Sequence, residues 1–168
     1  MLSNSASEAG DKSTAGVIAR PPLLYLVGLA LGLVLDHVLP LPSLVPRLGW
    51  AHDLSAFLAA MMLVGGAAMM AAGILNFTRA STPVPTVRPT RVLVTTGIHG
   101  WSRNPIYVGM FLIYGAIAVA VRSPWVLTLF VPLAALIRYG VVAREEAYLE
   151  VRFGDAFRDY RARVRRWF

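Results

Sequence analysis

The chain has 168 residues, of which 57% are hydrophobic and 15% charged, and it carries a formal net charge of +7 at pH 7. It is too apolar for an ordinary soluble domain and too short for two large domains, so we expect one small integral membrane protein. It contains no cysteine, which excludes a disulfide framework, a thiolate nucleophile and a zinc site with cysteine ligands.

The basic residues cluster at the ends of apolar runs and in the C-terminal tail. This distribution favours anionic lipid headgroups over nucleic acid as the binding partner. We therefore expect contact with membrane lipids and no role in binding nucleic acid.

The N-terminal residues 1–20 are predicted to be a disordered tail, because Ser, Ala and Gly dominate their first part without a periodic apolar pattern. Glu8 and Asp11 precede the basic residues of this tail, an order that fits a cleaved signal peptide poorly. Residues 21–168 are expected to form a single membrane domain, with a cofactor-binding part at about 76–168.

Two apolar runs follow the tail. The run 23–39 is just long enough to span a bilayer, and the run 54–75 spans it comfortably, with Asp53 as a plausible N-cap. Gly28 and Gly32 form a pair of small residues on one helix face, which predicts close helix packing.

The segment between the second and third apolar runs, 76–103, is polar and rich in proline. A connection this long is commonly functional, and its Val- and Thr-rich patch at 92–96 predicts a short ordered, β-like stretch. The runs 105–121 and 125–143 are joined by a short turn, which predicts an antiparallel helical hairpin. Pro132 predicts a kink in the second helix of this hairpin.

Four spans would place both termini and the central loop on one side of the membrane. Of the 16 lysines and arginines, 13 lie on the side of the termini and the central loop. Arg47 and Arg122 fall on the opposite side, and Arg138 lies within the fourth run. The positive-inside rule then places the termini and the loop in the cytoplasm. The predicted fold class is all-α, a multi-pass protein with about four transmembrane helices, a C-terminal helical hairpin and a cytoplasmic amphipathic tail helix.

The C-terminal segment begins as an extension of the fourth helix to Arg152. Gly154 is a natural helix stop and Asp155 a candidate N-cap for the next helix. From residue 156 to 167 the apolar positions fall roughly on one face and arginines cover the rest, which predicts an interfacial helix that closes over the mouth of the third run.

A polar cluster lies at that mouth. Arg103, Asn104 and Tyr107 crowd the start of an apolar segment, where unpaired polar groups are costly. Pro105 suits the first turn of a helix, whose free N–H groups favour a polar or anionic ligand. The alternative is an interfacial belt in which Trp101, Arg103 and Tyr107 anchor a helix end. An Asp36–His37 pair at the end of the first run is better explained as a polar helix end than as a metal site, and no metal is predicted.

Helix pairing in the hairpin brings a second cluster, Glu145 and Glu146, to the same membrane face. The sequence here resembles the small integral membrane S-adenosylmethionine-dependent methyltransferases, which include isoprenylcysteine carboxyl methyltransferases and phosphatidylethanolamine N-methyltransferases. The resemblance covers about residues 76–167. It is carried by Leu93-Val94-Thr95-Thr96-Gly97, by an Arg-His-Pro-x-Tyr-x-Gly pattern with Asn104 in the His place, by Glu145-Glu146, and by Phe153-Gly154 with Tyr160 and Val164-Arg165-Arg166.

The resemblance implies an S-adenosylmethionine pocket that opens toward the lipid for an amphiphilic or lipid-linked methyl acceptor. It leaves the catalytic residue unassigned. The arginine that contacts the substrate in isoprenylcysteine enzymes is replaced here by Val141. Arg138 and Arg144, one turn away on either side, therefore become the substrate-binding candidates. The family positions that contact the cofactor correspond to Arg91, Val92, Leu93, Val94, Asn104, Pro105, Ile106, Tyr107 and Glu145.

The two carboxylates point about 100° apart on a helix, so they cannot share one environment. Glu145 lies on a mostly apolar face and is the expected partner of the cofactor's positive groups. Glu146 shares its face with Glu150, a like-charged neighbour that is tolerated chiefly in solvent. Asn104 is expected to bind the cofactor without acting as a base, since an amide does not titrate, and His99 is expected to be a loop or interfacial residue.

Two other classes of function remain open from the sequence. A membrane sterol or enone reductase with a related C-terminal hairpin would bind NADPH. A non-catalytic membrane scaffold would use the same Glu and Arg residues as an interfacial ion-pair girdle. Binding of S-adenosylhomocysteine but not NADPH distinguishes the methyltransferase from both.

Overall fold

The computed structural model describes residues 15–43, 49–84 and 89–168, and these ranges contain helices and no strand. The all-α fold class is therefore confirmed. A 3₁₀ turn covers Gly97–Gly100, and a π-helical segment, Ile137–Val142, joins the fourth helix to the fifth. The α-helices are α1 (Pro21–Val38), α2 (Gly49–Arg79), α3 (Pro105–Ala120), α4 (Pro124–Leu136), α5 (Ala143–Phe153) and α6 (Asp155–Arg163).

Three helical stretches are long and apolar enough to cross a membrane: Pro21–Val38, Gly49–Arg79 and the continuous stretch Pro124–Phe153. The apolar helix α3 has 16 residues and is shorter. Large apolar side chains such as Leu26, Val64 and Val131 are exposed on the outer surfaces of the long helices. A bilayer covers such surfaces, and helices satisfy their own backbone hydrogen bonds there. These features fit an integral membrane protein.

Glycines set the closest helix contacts, with α2 packing along α3 and α1 along α4. A Cβ atom built at Gly109 would lie 2.6 Å from the Gly66 carbonyl oxygen, and one at Gly32 would lie 2.5 Å from Val126 Cγ2. Neither site admits a larger residue without separating the helices, so the predicted packing role of Gly32 is confirmed. At Gly28 the nearest contact would be an ordinary 3.5 Å.

Two local predictions were wrong. Asp53 is not an N-cap, because the described part of α2 already begins at Gly49, and the buried stripe Ala51, Ser55 and Ala59 carries the helical period through this region. The patch 92–96 forms no strand in the described structure. Its end is instead bonded to a helix, since Asn76 Nδ2 donates to the Thr96 carbonyl oxygen over 2.8 Å.

The C-terminal segment departs from prediction in its second half. Gly154 ends α5 with φ +54°, as predicted, but it occupies the N-cap position of α6 itself, and Asp155 is the first helical residue. Helix α6 ends at Arg163 and not at residue 167, because Val164 is extended (φ −117°, ψ 130°). The chain beyond it turns back toward the start of α3.

The predicted N-terminal tail is only partly described. Residues 1–14 lie outside the described residues, as do Arg47 and Arg88, which contributed to the orientation argument. Residues 15–20 are not a free tail, because the π-helical segment and the start of α5 hold them. Ile18 N donates to the Gly140 carbonyl oxygen at 3.4 Å, and Arg144 Nη1 donates to the Gly16 carbonyl oxygen at 2.8 Å.

Candidate functional site

A cavity of about 640 Å³ lies at one end of the helix bundle. The N-terminal turns of α1, the C-terminal end of α2, the start of α3, and helices α5 and α6 all contribute to its wall. Cavities of roughly 300–1,000 Å³ are typical of small-molecule and cofactor sites. The two polar clusters of the sequence, at 103–107 and 145–146, meet in this wall.

The structure brings most of the predicted cofactor residues together. Pro105 is buried at the first position of α3 and does not itself line the cavity, and Arg91 and Val92 are exposed outside the wall. The predicted residues that line the cavity are Leu93, Val94, Asn104, Ile106, Tyr107 and Glu145.

The two predicted substrate arginines do not lie in the cavity wall. The Arg138 guanidinium is exposed and lies 5.4 Å from the centre of the Tyr139 ring. Arg144 bonds the carbonyl oxygen of Gly16. Val141 is fully buried, at 0% exposure. This part of the chain is therefore used for packing and for holding the N-terminal segment.

Glu145 lies in the cavity wall next to Tyr107. The Tyr107 hydroxyl donates to Glu145 Oε1 over 2.8 Å, and the glutamate is 6% exposed. The phenol comes from the first turn of α3 and the carboxylate from the first turn of α5. This bond joins the two helices and holds the carboxylate in a defined position within a mostly apolar wall.

The expectation that Glu146 is exposed to solvent is wrong. It is 8% exposed and forms ion pairs with Arg103 Nη2 at 2.8 Å and Arg166 Nη2 at 2.5 Å. Glu150, its like-charged neighbour, instead pairs with Arg161 at 2.9 Å. Helical spacing alone could not show this, because Arg166 reaches Glu146 only after the tail has folded back.

The folded-back tail is held by residues that precede α3. Arg103 Nη1 donates to the carbonyl oxygens of Arg161 and Val164, at 3.0 and 2.8 Å. We call the whole set of contacts the tail latch. Its remaining bonds are Arg103 N to the Arg165 oxygen at 3.0 Å, and Ser102 Oγ and Asn104 Nδ2 to the Arg166 oxygen at 3.3 and 3.1 Å.

His99 lies in the connection between α2 and α3, as expected of a loop residue, but it is buried in the cavity wall at 3% exposure. Its Nδ1 lies 3.3 Å from Asn76 Nδ2, which also donates to the Thr96 carbonyl oxygen. The Thr96 carbonyl oxygen can only accept, so the Asn76 atom beside it is the NH₂ nitrogen. That nitrogen donates its second hydrogen to Nδ1 of His99, and the neutral ring therefore carries its own proton on Nε2. Burial lowers the pKa of His99 to about 4, so the ring is a neutral donor at physiological pH.

Helix α6 contributes its apolar face to the cavity. Phe157 and Tyr160 are 1% and 4% exposed and line the wall. The Tyr160 hydroxyl donates to the His99 carbonyl oxygen at 2.7 Å, and burial raises the pKa of Tyr160. The sequence predicted this apolar face, and it predicted a helix that lies at the membrane surface and closes over the mouth of the third run. The structure places Phe157 and Tyr160 of this face in the cavity wall.

A protein-family model described as phospholipid methyltransferase matches residues 54–156. An uncharacterized protein of Haemophilus influenzae is 62% identical over 26 residues, which are 16% of this chain and 41% of that protein. No solved structure matches the chain. The family match includes most of α2 and all of α3, α4 and α5, with Tyr107 and Glu145, and covers more than half of the 168 residues. The chain therefore belongs to the phospholipid methyltransferase family.

Proposed function

We propose that the protein transfers a methyl group from S-adenosylmethionine to an amphiphilic or lipid-linked acceptor at the cytoplasmic face of the membrane, as isoprenylcysteine carboxyl methyltransferases do. The observation that carries the proposal is the composition of the cavity wall. Buried Glu145 lies in one part of the wall, and lipid-facing leucines of α1 form another. A cationic methyl donor and an apolar acceptor chain can therefore bind in one cavity.

The residues of the cavity fit the methyl donor. S-adenosylmethionine carries an ammonium and a sulfonium, and a carboxylate held at Glu145 can pair with this positive end. Thr90 also lines the cavity, and its buried hydroxyl has no hydrogen-bond partner among the described residues. Buried polar atoms rarely lack partners, so this hydroxyl supports the presence of a polar ligand nearby.

The bound donor supplies an electrophilic methyl group, and the protein has to align it with the acceptor and exclude water. Phe157 and Leu93 give the wall an apolar surface. The tail latch keeps α6 in place over the cavity. His99, as a neutral donor, can bond an acceptor atom of a ligand through Nε2, and Asn104, whose Nδ2 bonds the Arg166 carbonyl, has an amide oxygen to offer.

The acceptor can reach the cavity from the bilayer. Leu23 and Leu26 of α1 line the cavity, yet they are 55% and 63% exposed. The wall is thus continuous with the lipid-facing surface of α1, and Met110 of α3 adds a flexible apolar side chain. An acyl or prenyl chain can occupy this side while the group to be methylated approaches Glu145.

The cytoplasmic position of the site rests on the charge distribution. The residues around the cavity include Arg20 and Arg103, and the tail that closes it carries five further arginines between 158 and 166. Positive charge on this end is what the positive-inside rule requires of the cytoplasmic side.

Calorimetric titration of the purified protein in nanodiscs with S-adenosylhomocysteine and with NADPH tests the donor, because the proposal requires binding of the first and not of the second. Transfer of labelled methyl groups to prenylated, phospholipid and water-soluble acceptors then tests the substrate class. Binding of NADPH alone would favour a reductase. Methylation of water-soluble acceptors with no activity on any amphiphile would refute the proposed acceptor.

A further inference from the structure

Arg20 lines the cavity but takes no part in the ion pairs around it. It is the N-cap residue of α1 and is exposed. Within the described part of the chain its guanidinium forms neither a hydrogen bond nor an ion pair. Arg103, the other arginine of the cavity wall, is held by Glu146 and by two carbonyl oxygens of the tail. Among the described residues of the wall, Arg20 is thus the cation that is available to a ligand.

The backbone around Arg20 is fixed on both sides. On the N-terminal side, Ile18 bonds the Gly140 carbonyl of the π-helical segment and Gly16 accepts from Arg144. On the C-terminal side, the Arg20 carbonyl accepts from Leu23 N at 3.0 Å at the start of α1. The side chain is therefore carried by an ordered backbone and is not part of a free tail.

The charges of the cavity are separated. Glu145 is buried in the wall, whereas Arg20 is exposed at the N-cap of α1, in the turn before the cavity-lining Leu23 and Leu26. An arginine binds carboxylate and phosphate groups with paired hydrogen bonds. A molecule with an apolar chain along these leucines would place a group near its head beside Arg20.

We propose that Arg20 is a specificity-determining residue that binds an anionic group, carboxylate or phosphate, of the methyl acceptor. The inference rests on the proposed methyl transfer and gives it a substrate class, namely amphiphiles that carry a negative charge near the methylated group. It also assigns this role to the N-cap residue of α1, because Arg138 and Arg144 both lie outside the cavity wall.

The test compares Arg20→Gln and Arg20→Lys with Arg138→Gln, an exposed arginine outside the cavity, in phosphatidylcholine nanodiscs. Acceptors of equal chain length carry a carboxylate, a phosphate or no anionic group. Arg20→Gln should raise KM for the anionic acceptors about tenfold to a hundredfold, with kcat and affinity for S-adenosylhomocysteine within twofold. Arg20→Lys should recover part of the loss, and the carboxylate and phosphate arms show which anion is recognised.

A KM for Arg20→Gln equal to that of Arg138→Gln would overturn the inference. A rise in KM that appears only when anionic lipid is added to the nanodiscs would also overturn it, because Arg20 would then contact the membrane surface and not the acceptor. Binding of non-reactive alkyl phosphate and alkyl carboxylate, measured with S-adenosylhomocysteine present, separates the two proposals. If the protein binds these anions through Arg20 but methylates no acceptor, the proposed function fails and the anion site stands.

Discussion

Glu146→Gln tests whether the tail latch depends on a buried charge. The substitution keeps the shape of the side chain but removes the carboxylate that pairs with Arg103 and Arg166. The Arg103 and Glu146 side chains are 9% and 10% exposed, and that of Arg166 is 29% exposed. The buried guanidinium of Arg103 would lose its anionic partner while remaining largely shielded from water.

Removing one partner of a fully buried ion pair costs roughly 3–5 kcal/mol. Because solvent reaches Arg166 in part, we expect about 2–4 kcal/mol for Glu146→Gln. Glu150→Gln is the matched control, since Glu150 lies on the same helix as Glu146 but the side chains of its pair with Arg161 are 33% and 46% exposed. Such an exposed pair contributes less than about 1 kcal/mol.

Thermal unfolding followed by circular dichroism in one detergent measures both variants. A change of 1 kcal/mol corresponds to roughly 2–4 °C for a chain of this size, so Glu146→Gln should lower the midpoint by about 4–16 °C and Glu150→Gln by little. Limited trypsin digestion should cut the tail at residues 161–166 faster in Glu146→Gln. Equal midpoints and equal cleavage rates for the two variants would refute the argument that the buried pair holds the tail.

Four further predictions concern the cavity and the helix packing. Glu145→Gln should weaken binding of S-adenosylhomocysteine by about ten- to more than a hundredfold in calorimetry, because it removes a charge-assisted bond of roughly 1.5–3 kcal/mol; unchanged affinity would remove Glu145 from the site. Asn104→His should keep substantial methyl transfer, since an imidazole N–H can replace the amide bond to the tail, whereas loss of turnover at unchanged donor affinity would contradict a purely binding role. Wild-type stability should fall by about 1–3 kcal/mol as pH drops from 6.5 toward 4, because the unfolded chain protonates His99 first, and His99→Gln should remove this dependence in pH-dependent melts; a persisting slope would point to another group. Gly109→Ala should lower the thermal midpoint because its Cβ would lie 2.6 Å from a backbone oxygen of α2, while Gly65→Ala, with nothing within 4 Å, should not; equal midpoints would show that α2 and α3 can separate at no cost.

The sequence by itself determined the helices and the meeting of the two polar clusters. Apolar runs of membrane length are a local property of the sequence. The turn at 122–124 is short, so the two helices of the hairpin must lie antiparallel. This is why Tyr107 and Glu145, 38 positions apart, were correctly expected on one face and are joined by a hydrogen bond. Gly154 as the end of α5 follows in the same way from local backbone geometry.

The tertiary structure decided the rest of the candidate site. In a membrane helix nearly every face is apolar, so periodicity does not show which face packs against protein and which against lipid. Arg166 reaches Glu146 across 20 residues, and Tyr160 reaches His99 across 61, and both contacts depend on the tail turning back after Arg163. Arg20 lines the cavity at the start of α1, next to Gly16 and Ile18, which Arg144 and the π-helical segment hold. Contacts of this kind arise from the packing of distant segments, and no local pattern in the chain encodes them.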